Sequence, residues 1–258
     1  MNAPLPSSHF TQQCLRWKAR RHSHRPAGEP FDPGRYSVEV IEESQAKAFV
    51  LEHHYSGSYP AARLRVGMFE HQRFRPSQLV GVAVFSVPMT QSVIPKYLGL
   101  KPAFGVELGR FVLAEHLPGN SESWALGRAF RILRRELTVS GVVSFCDPLA
   151  RFDAGGREVK RSHTGVIYKA HNARYMGTTL PRTLQLLPNG LCASDRMLSK
   201  IRNGEQGIDY AMRQLRTAGA PGRYLGESPT EWLVRLKQER FFRPVRHPGN
   251  HAFTWSWA

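Results

Sequence analysis

Between Leu79 and Phe85, the run QLVGVAVFSVP (78–88) has no polar side chain at all. A strand wetted on one face alternates apolar and polar residues. An unbroken run of Val, Ala, Leu and Phe needs cover on both faces. This run therefore reads as the central strand of a sheet with helices on either side. RLRVGMFE (63–70) precedes it closely enough to pair with it.

The surrounding chain supplies the cover. RYSVEVI (35–41) and VELGRFVLA (106–114) read as further strands, and GVVSFCDP (141–148) as a short buried strand ending at Asp147. SQAKAFVLEHH (44–54) has near-helical spacing of Ala46, Ala48 and Leu51, with Ser44 as its expected N-cap. NSESWALGRAFRILRREL (120–137) places Leu126, Phe130, Leu133 and Leu137 on one stripe and Arg128, Arg131 and Arg135 on another. TGVIYKAHN (164–172) reads as a short helix and RYMGTTL (174–180) as a strand. Strands interleaved with helices predict an α/β fold with a mixed central sheet flanked by helices.

From 181 to about 245 the texture becomes helical. Ser194 is placed to cap a helix that ends near Asn203-Gly204. A second helix carries Ile208, Ala211, Met212 and Leu215 on its apolar face, and SPTEWLVRLKQERFF (228–242) forms a third. HPGNHAFTWSWA (247–258) looks like a final strand able to return to the main sheet. The expected organisation is a basic tail over 1–34 and one domain over 35–258, with a helical insertion at about 181–245.

Charge narrows the partner. Thirty-six Lys and Arg against twenty Asp and Glu give +16, a balance that favours polyanions, above all nucleic acid. Candidate phosphate contacts are the tail cluster RWKARRHSHRP (16–26), the stripe with Arg128 and Arg131, and Arg196, Lys200, Arg202 and Arg213 of the insertion. The insertion could act as a helix-turn-helix in a groove or as a lid. Cys14, Cys146 and Cys192 are scattered and odd in number, which predicts a reducing, cytoplasmic setting. No apolar stretch reaches membrane-spanning length. There is no Walker loop, GxGxxG, HExxH or GxSxG, so nucleotide hydrolysis, Rossmann chemistry and zinc hydrolysis lack their usual signatures.

Four places could carry chemistry. EHHYSGSYP (52–60) gathers imidazoles and a phenol at a helix end. Asp147 stands at the carboxyl end of a strand, where open α/β sheets hold ligands; it could serve as base or amine-orienting group, or cap the turn before Pro148. Tyr168 sits on a helix that resembles the late part of the GCN5-related acetyltransferase fold, whose helical tyrosine protonates the leaving thiolate of coenzyme A; it could equally be a core tyrosine. Ser123, at a helix start, could cap it or bind an anionic donor. The Arg/Gln-x-x-Gly-x-Gly/Ala loop of that fold is replaced here by AEHLPGNSESWALGR (114–128), which leaves Gly119 and Asn120 as its nearest equivalents.

Taken in order, HHYSGSYP, LGRFV followed by NSESWALGRAFRIL, SFCDP, HTGVIYKAHNARYMGTT and HPGNHAF resemble the Mom family of phage DNA-modification proteins. That resemblance implies a variant acetyltransferase fold. It implies transfer of a carbamoylmethyl group to the exocyclic amine of adenine in double-stranded DNA, which shields phage DNA from restriction. The functional residues it implies are His54, Tyr55, Ser123, Asp147 and Tyr168. Ser123, Gly119 and Asn120 would bind the donor, acetyl-CoA or another small acyl or amide compound. The family's link to iron would make His54, Tyr55 and Asp147 its ligands. The adenine would have to be flipped out and stacked, with Tyr55, Tyr59 and Trp124 as candidate platforms. Two rival expectations are an acetyl-CoA-dependent N-acyltransferase acting on protein, RNA or a small amine, and a DNA-binding protein without catalysis.

Overall fold

The computed structural model describes residues 31–257, together with the backbone of a short ladder pairing Gln12–Gln13 with His24–Arg25. The basic cluster expected along phosphates, from Arg16 to Arg25, carries no described side chain. The chain divides into two compact units. One comprises Met1–Cys146, His163–Gly177 and His251–Ala258; the other comprises Asp147–Ser162 and Thr178–Asn250.

The first unit is built on a seven-stranded sheet. Its strands are β1 (Tyr36–Val40), β2 (Ala62–Gln72), β3 (Arg75–Ser86), β4 (Gly105–Leu113), β5 (Gly141–Cys146), β6 (Arg174–Thr178) and β7 (His251–Ser256), in the order β6-β7-β5-β4-β3-β2-β1. The apolar run became β3, between β2 and β4, and its residues from Val80 to Ser86 are all buried. The C-terminal strand does return, antiparallel to β5. The expected mixed α/β sheet flanked by helices is the fold observed.

The helices are α1 (Glu43–His53), α2 (Val93–Leu98), α3 (Ser121–Glu136) and α4 (Val166–Ala170). α1 and α3 cover opposite faces. Ala46, Phe49 and Val50 of α1 pack with Val82, Val84 and Val112. Leu126, Ala129, Phe130 and Leu133 of α3 pack with Ala83, Phe85, Val106 and Leu108. Each large side chain buried this way contributes roughly 1.5–3 kcal/mol. Two cap expectations need correcting. Ser44 lies inside α1, whose N-cap is Glu42, and α3 begins after Asn120, which makes no side-chain cap. α2 falls in the stretch the sequence left without an element.

β4 and β5 supply the feature that makes room for a site. They run parallel but pair over only three positions, Gly105↔Gly141, Val106↔Val142 and Glu107↔Val143. Beyond these the strands part, β4 staying with β3 and β5 with β7.

In the second unit, strand 182–186 lies between 192–193 and 243–247, and 151–152 pairs with 158–160. Three helices, Asp195–Asn203, Ile208–Thr217 and Pro229–Gln238, enclose a core of Leu198, Ile201, Leu215, Trp232, Leu233 and Leu236. Ser194 caps the first as expected, through the amide of Met197. The helical insertion is thus one part of a larger unit that also takes in 147–162.

Candidate functional site

The turn after α1 is built from the HHYSGS motif itself. Gly57 has φ +57°, a left-handed conformation that side-chain-bearing residues rarely adopt. It turns the chain so that Ser56 and Ser58 lie 3.4 Å apart through their hydroxyls. Ser56 donates to Nδ1 of His54 from both its amide (3.1 Å) and its hydroxyl (2.8 Å). An Nδ1 that accepts from an amide cannot carry the proton, so Nε2 does. Burial, then the charge of Arg110 and the neighbouring His163, push the imidazole down to about 3. His54 is therefore a neutral donor, and Tyr55, 41% exposed, stacks on it at 4.3 Å.

The relay continues to β4. Arg110 reaches Ser58, its Nε 3.0 Å from the carbonyl and its Nη2 2.8 Å from the hydroxyl. A bulge explains how Arg110 gets there. Val84 pairs with Arg110 but Phe85 pairs with Leu108, which leaves Gly109 as the extra residue. A Cβ on Gly109 would stand 2.4 Å from the Ser86 hydroxyl oxygen, so glycine is required. In a regular strand residues 107 and 110 point to opposite faces. With one residue inserted, Glu107 and Arg110 share the α1 face, while Val106 and Leu108 face α3.

Glu107 is half-buried and makes no side-chain hydrogen bond or ion pair among the described residues. Burial lifts its carboxyl to about 7, and the charge of Arg110 offsets this only in part. It is the last residue of β4 paired with β5, so it stands where the strands part. Just beyond, the buried Ser144 hydroxyl bridges the strands, donating to the carbonyl of Leu108 at 2.9 Å. Tyr168 of α4 is buried and packed edge-on against Phe253 and Trp255, with the Ser144 hydroxyl partly offsetting the effect of burial on its phenol. Burial pushes its phenol above the usual range, with smaller contributions from Tyr55, Cys146 and Glu107. The His163 ring lies 5.5 Å from it.

Of the residues expected to act together, the structure assembles His54, Tyr55 and Tyr168 in the first unit. Asp147 follows the last residue of β5, and its carboxylate is heavily engaged. It accepts from Nε2 of the fully buried His247 at 2.8 Å and from the amide of Leu149 at 2.9 Å. Lys160 Nζ lies 3.3 Å away and Arg151 3.8 Å. Burial raises its pKa, but Lys160, His247, Leu149 and Arg151 together hold it below the usual value. Lys160 also donates to the carbonyls of Asp147, Leu149 and Arg161. This carboxylate is a structural ion, not a poised base.

Other expectations shift as well. Ser123, Gly119 and Asn120 stand at the start of α3, and none joins the His54–Tyr168 hydrogen bonds or ring contacts; Asn120 has φ +69°. The first turn of α3 keeps its amides free of a side-chain cap, which suits an anionic donor group. Trp124 and Tyr59 are packing residues. Trp124 lies against Phe31 and Tyr36 with Arg128 over its ring at 3.8 Å, and Tyr59 packs on the α1 cluster. Arg131 is exposed on α3, and Arg196 is committed to Glu205 at 2.7 Å. Iron does not fit the proposed ligands. His54 Nδ1 accepts from Ser56, Asp147 is engaged by His247 and Lys160, and no cluster of three His, Cys, Asp or Glu suits a metal among the described residues.

Sequence reasoning missed Glu107, Arg110, Ser56, Ser58 and Ser144. The one signal available was Gly109 inside a strand, which marks a bulge beside two charges.

The sequence profile of the Mom protein family matches residues 35–220. The chain belongs to that family. It is accordingly a DNA-modification transferase of the Mom family. No curated protein matches it. Among solved structures it is similar to a tandem GNAT protein from the clavulanic acid biosynthesis pathway. That match has 8% identity and a TM-score of 0.42, covering 86% of this chain and 98% of that one. It is also similar to the spermidine N-acetyltransferase of Vibrio cholerae, at 10% identity and a TM-score of 0.37, covering 57% and 85%. A third, described as a phosphinothricin N-acetyltransferase, has 7% identity and a TM-score of 0.37, covering 86% and 99%. No helix among the described residues is long and apolar enough to cross a membrane.

Proposed function

We propose that this Mom family member transfers a carbamoylmethyl group to the exocyclic amine of adenine in double-stranded DNA, taking it from a small donor in which that group is already joined to a leaving group; acetyl-CoA as donor would deliver an acetyl group instead. The supporting observation is an unpaired, half-buried carboxylate with a pKa near 7 at the parting of β4 and β5, which shares the charge of Arg110 with the neutral imidazole of His54 and is felt by the buried phenol of Tyr168.

The exocyclic amine is a weak nucleophile, because its lone pair is delocalised into the ring. It must lose a proton as the new N–C bond forms. Glu107 takes that proton, being ionised in half the molecules near neutrality and basic enough to accept. The bond between donor carbon and departing group breaks, and the departing group takes the phenol proton of Tyr168. Burial keeps that phenol protonated until then. His54 donates from Nε2 and orients the base, held in one tautomer by Ser56. Tyr55 offers its exposed face for stacking. The donor supplies the transferred carbon and the leaving group, and the uncapped first turn of α3, with Ser123, would hold its anionic end.

The test is the mass of nucleosides from DNA of cells expressing the protein. A heavier deoxyadenosine is expected, falling about 10²-fold in Tyr168→Phe. Unmodified DNA alongside acylated protein or RNA would replace this reading with a conventional acyltransferase.

A further inference from the structure

The three helices of the second unit carry an uneven charge pattern. Their carboxylates are committed. Glu205 pairs with Arg196 at 2.7 Å. Glu227 and Glu239 share Arg235. Glu231 accepts from the Ser228 amide in a capping box, and Asp195 and Asp209 sit in the first turns of their helices, facing the positive end of the helix dipole. Arg202, Arg213 and Arg216 are exposed and make no ion pair among the described residues.

Helix Ile208–Thr217 buries Ala211 and Leu215 in the unit's core. On its outer side Tyr210, Arg213, Gln214 and Thr217 follow at intervals of three, four and seven, so they form one exposed stripe. Tyr210 is 61% exposed, and its hydroxyl accepts from the Gln214 amide at 3.2 Å, which orders two exposed side chains against each other. An ordered row of an arginine, a glutamine and an aromatic is not a generic solvated face. Arg is the usual reader of guanine and Gln of adenine in the major groove, and that groove admits an α-helix.

We propose that helix Ile208–Thr217 docks in the major groove of duplex DNA. Arg213 and Gln214 contact base edges, and Arg216 and Arg202 contact phosphates. The partner rests on the functional reading above. The inference goes further, assigning the second unit the choice of flanking sequence around the modified base.

The test measures affinity directly, without the chemistry. Arg213→Ala and Gln214→Ala are titrated against labelled 20-base-pair duplexes of varied sequence (a length of about two helical turns), with circular dichroism to check the fold. On the preferred sequence the loss should be about 5- to 150-fold, and smaller on others, so that discrimination collapses. Arg216→Ala should weaken all sequences alike and lower the salt slope by about 1. Folded variants that bind every duplex as the wild type does would overturn the inference. Nucleoside masses are read in parallel. Affinity lost by the variants while wild-type DNA stays unmodified would keep the docking helix and discard the transferase reading.

Discussion

Glu107 and Asp147 are both carboxylates at the ends of paired strand segments, and they have opposite surroundings. Asp147 is ringed by His247, Lys160 and Arg151 and is held ionised. Glu107 has one arginine near it and no bond, and burial lifts it to about 7. A base needs a free lone pair and an affinity for protons near the working pH. Asp147 has neither; Glu107 has both. The difference lies in what the carboxylates meet.

The sharpest way to break this comparison is Glu107→Gln. We expect modification to fall by about 10²- to 10⁴-fold while duplex affinity holds. A folded carboxyl with a raised pKa contributes stability that is fully present below its unfolded value and is lost as pH rises through about 7. The Gln variant should therefore melt no lower than wild type at about pH 8. A normal modification rate would discard Glu107 as the base.

Asp147→Ala should act through the fold. Removing the carboxylate takes the counter-charge from the buried Lys160, which keeps only its carbonyl acceptors, a change of about 3–5 kcal/mol in stability. Denaturant titration should show that loss, and activity should track the folded fraction. An Asp147→Ala protein of full stability with no activity would return a chemical role to this residue.

A pH profile sharpens the same contrast. The rate should climb as pH rises through about 7, where Glu107 ionises, and level off above. Asp147, held below the usual carboxylate range, would leave no such rise near neutrality. A rate flat between about pH 6 and 8 would point to a different base.

The smallest effect concerns His54. Its imidazole falls from 6.5 to about 3 on folding, so the unfolded chain takes up the proton first. Its contribution to stability is complete above the unfolded value and is lost as pH falls toward 3. In His54→Gln, the acid limb of the melting curve should be flatter across that window. Matching acid limbs would mean that His54 is not buried neutral.

Several features were legible from local pattern. The central strand at 78–88, the helical stripe of α3 and the returning C-terminal strand follow from burial and periodicity, which act over a few residues. The family motif also pointed to His54, Tyr55 and Tyr168, all of which lie in the first unit, with Tyr55 stacked on His54 and near enough to Tyr168 to raise its phenol. Ser56 and Ser58 lay inside that same motif, yet their use as a relay depended on where Arg110 arrives. The bulge at Gly109 alone turned that side chain toward them.

The sequence by itself determined the layered α/β architecture and the basic character of the chain, because composition and spacing are local quantities. Only the tertiary structure decided which acid is free. Whether a carboxylate is neutralised depends on cations brought to it from elsewhere, and His247 stands 100 residues from Asp147. Glu107 was left alone by the same folding that brought His247 and Lys160 to Asp147.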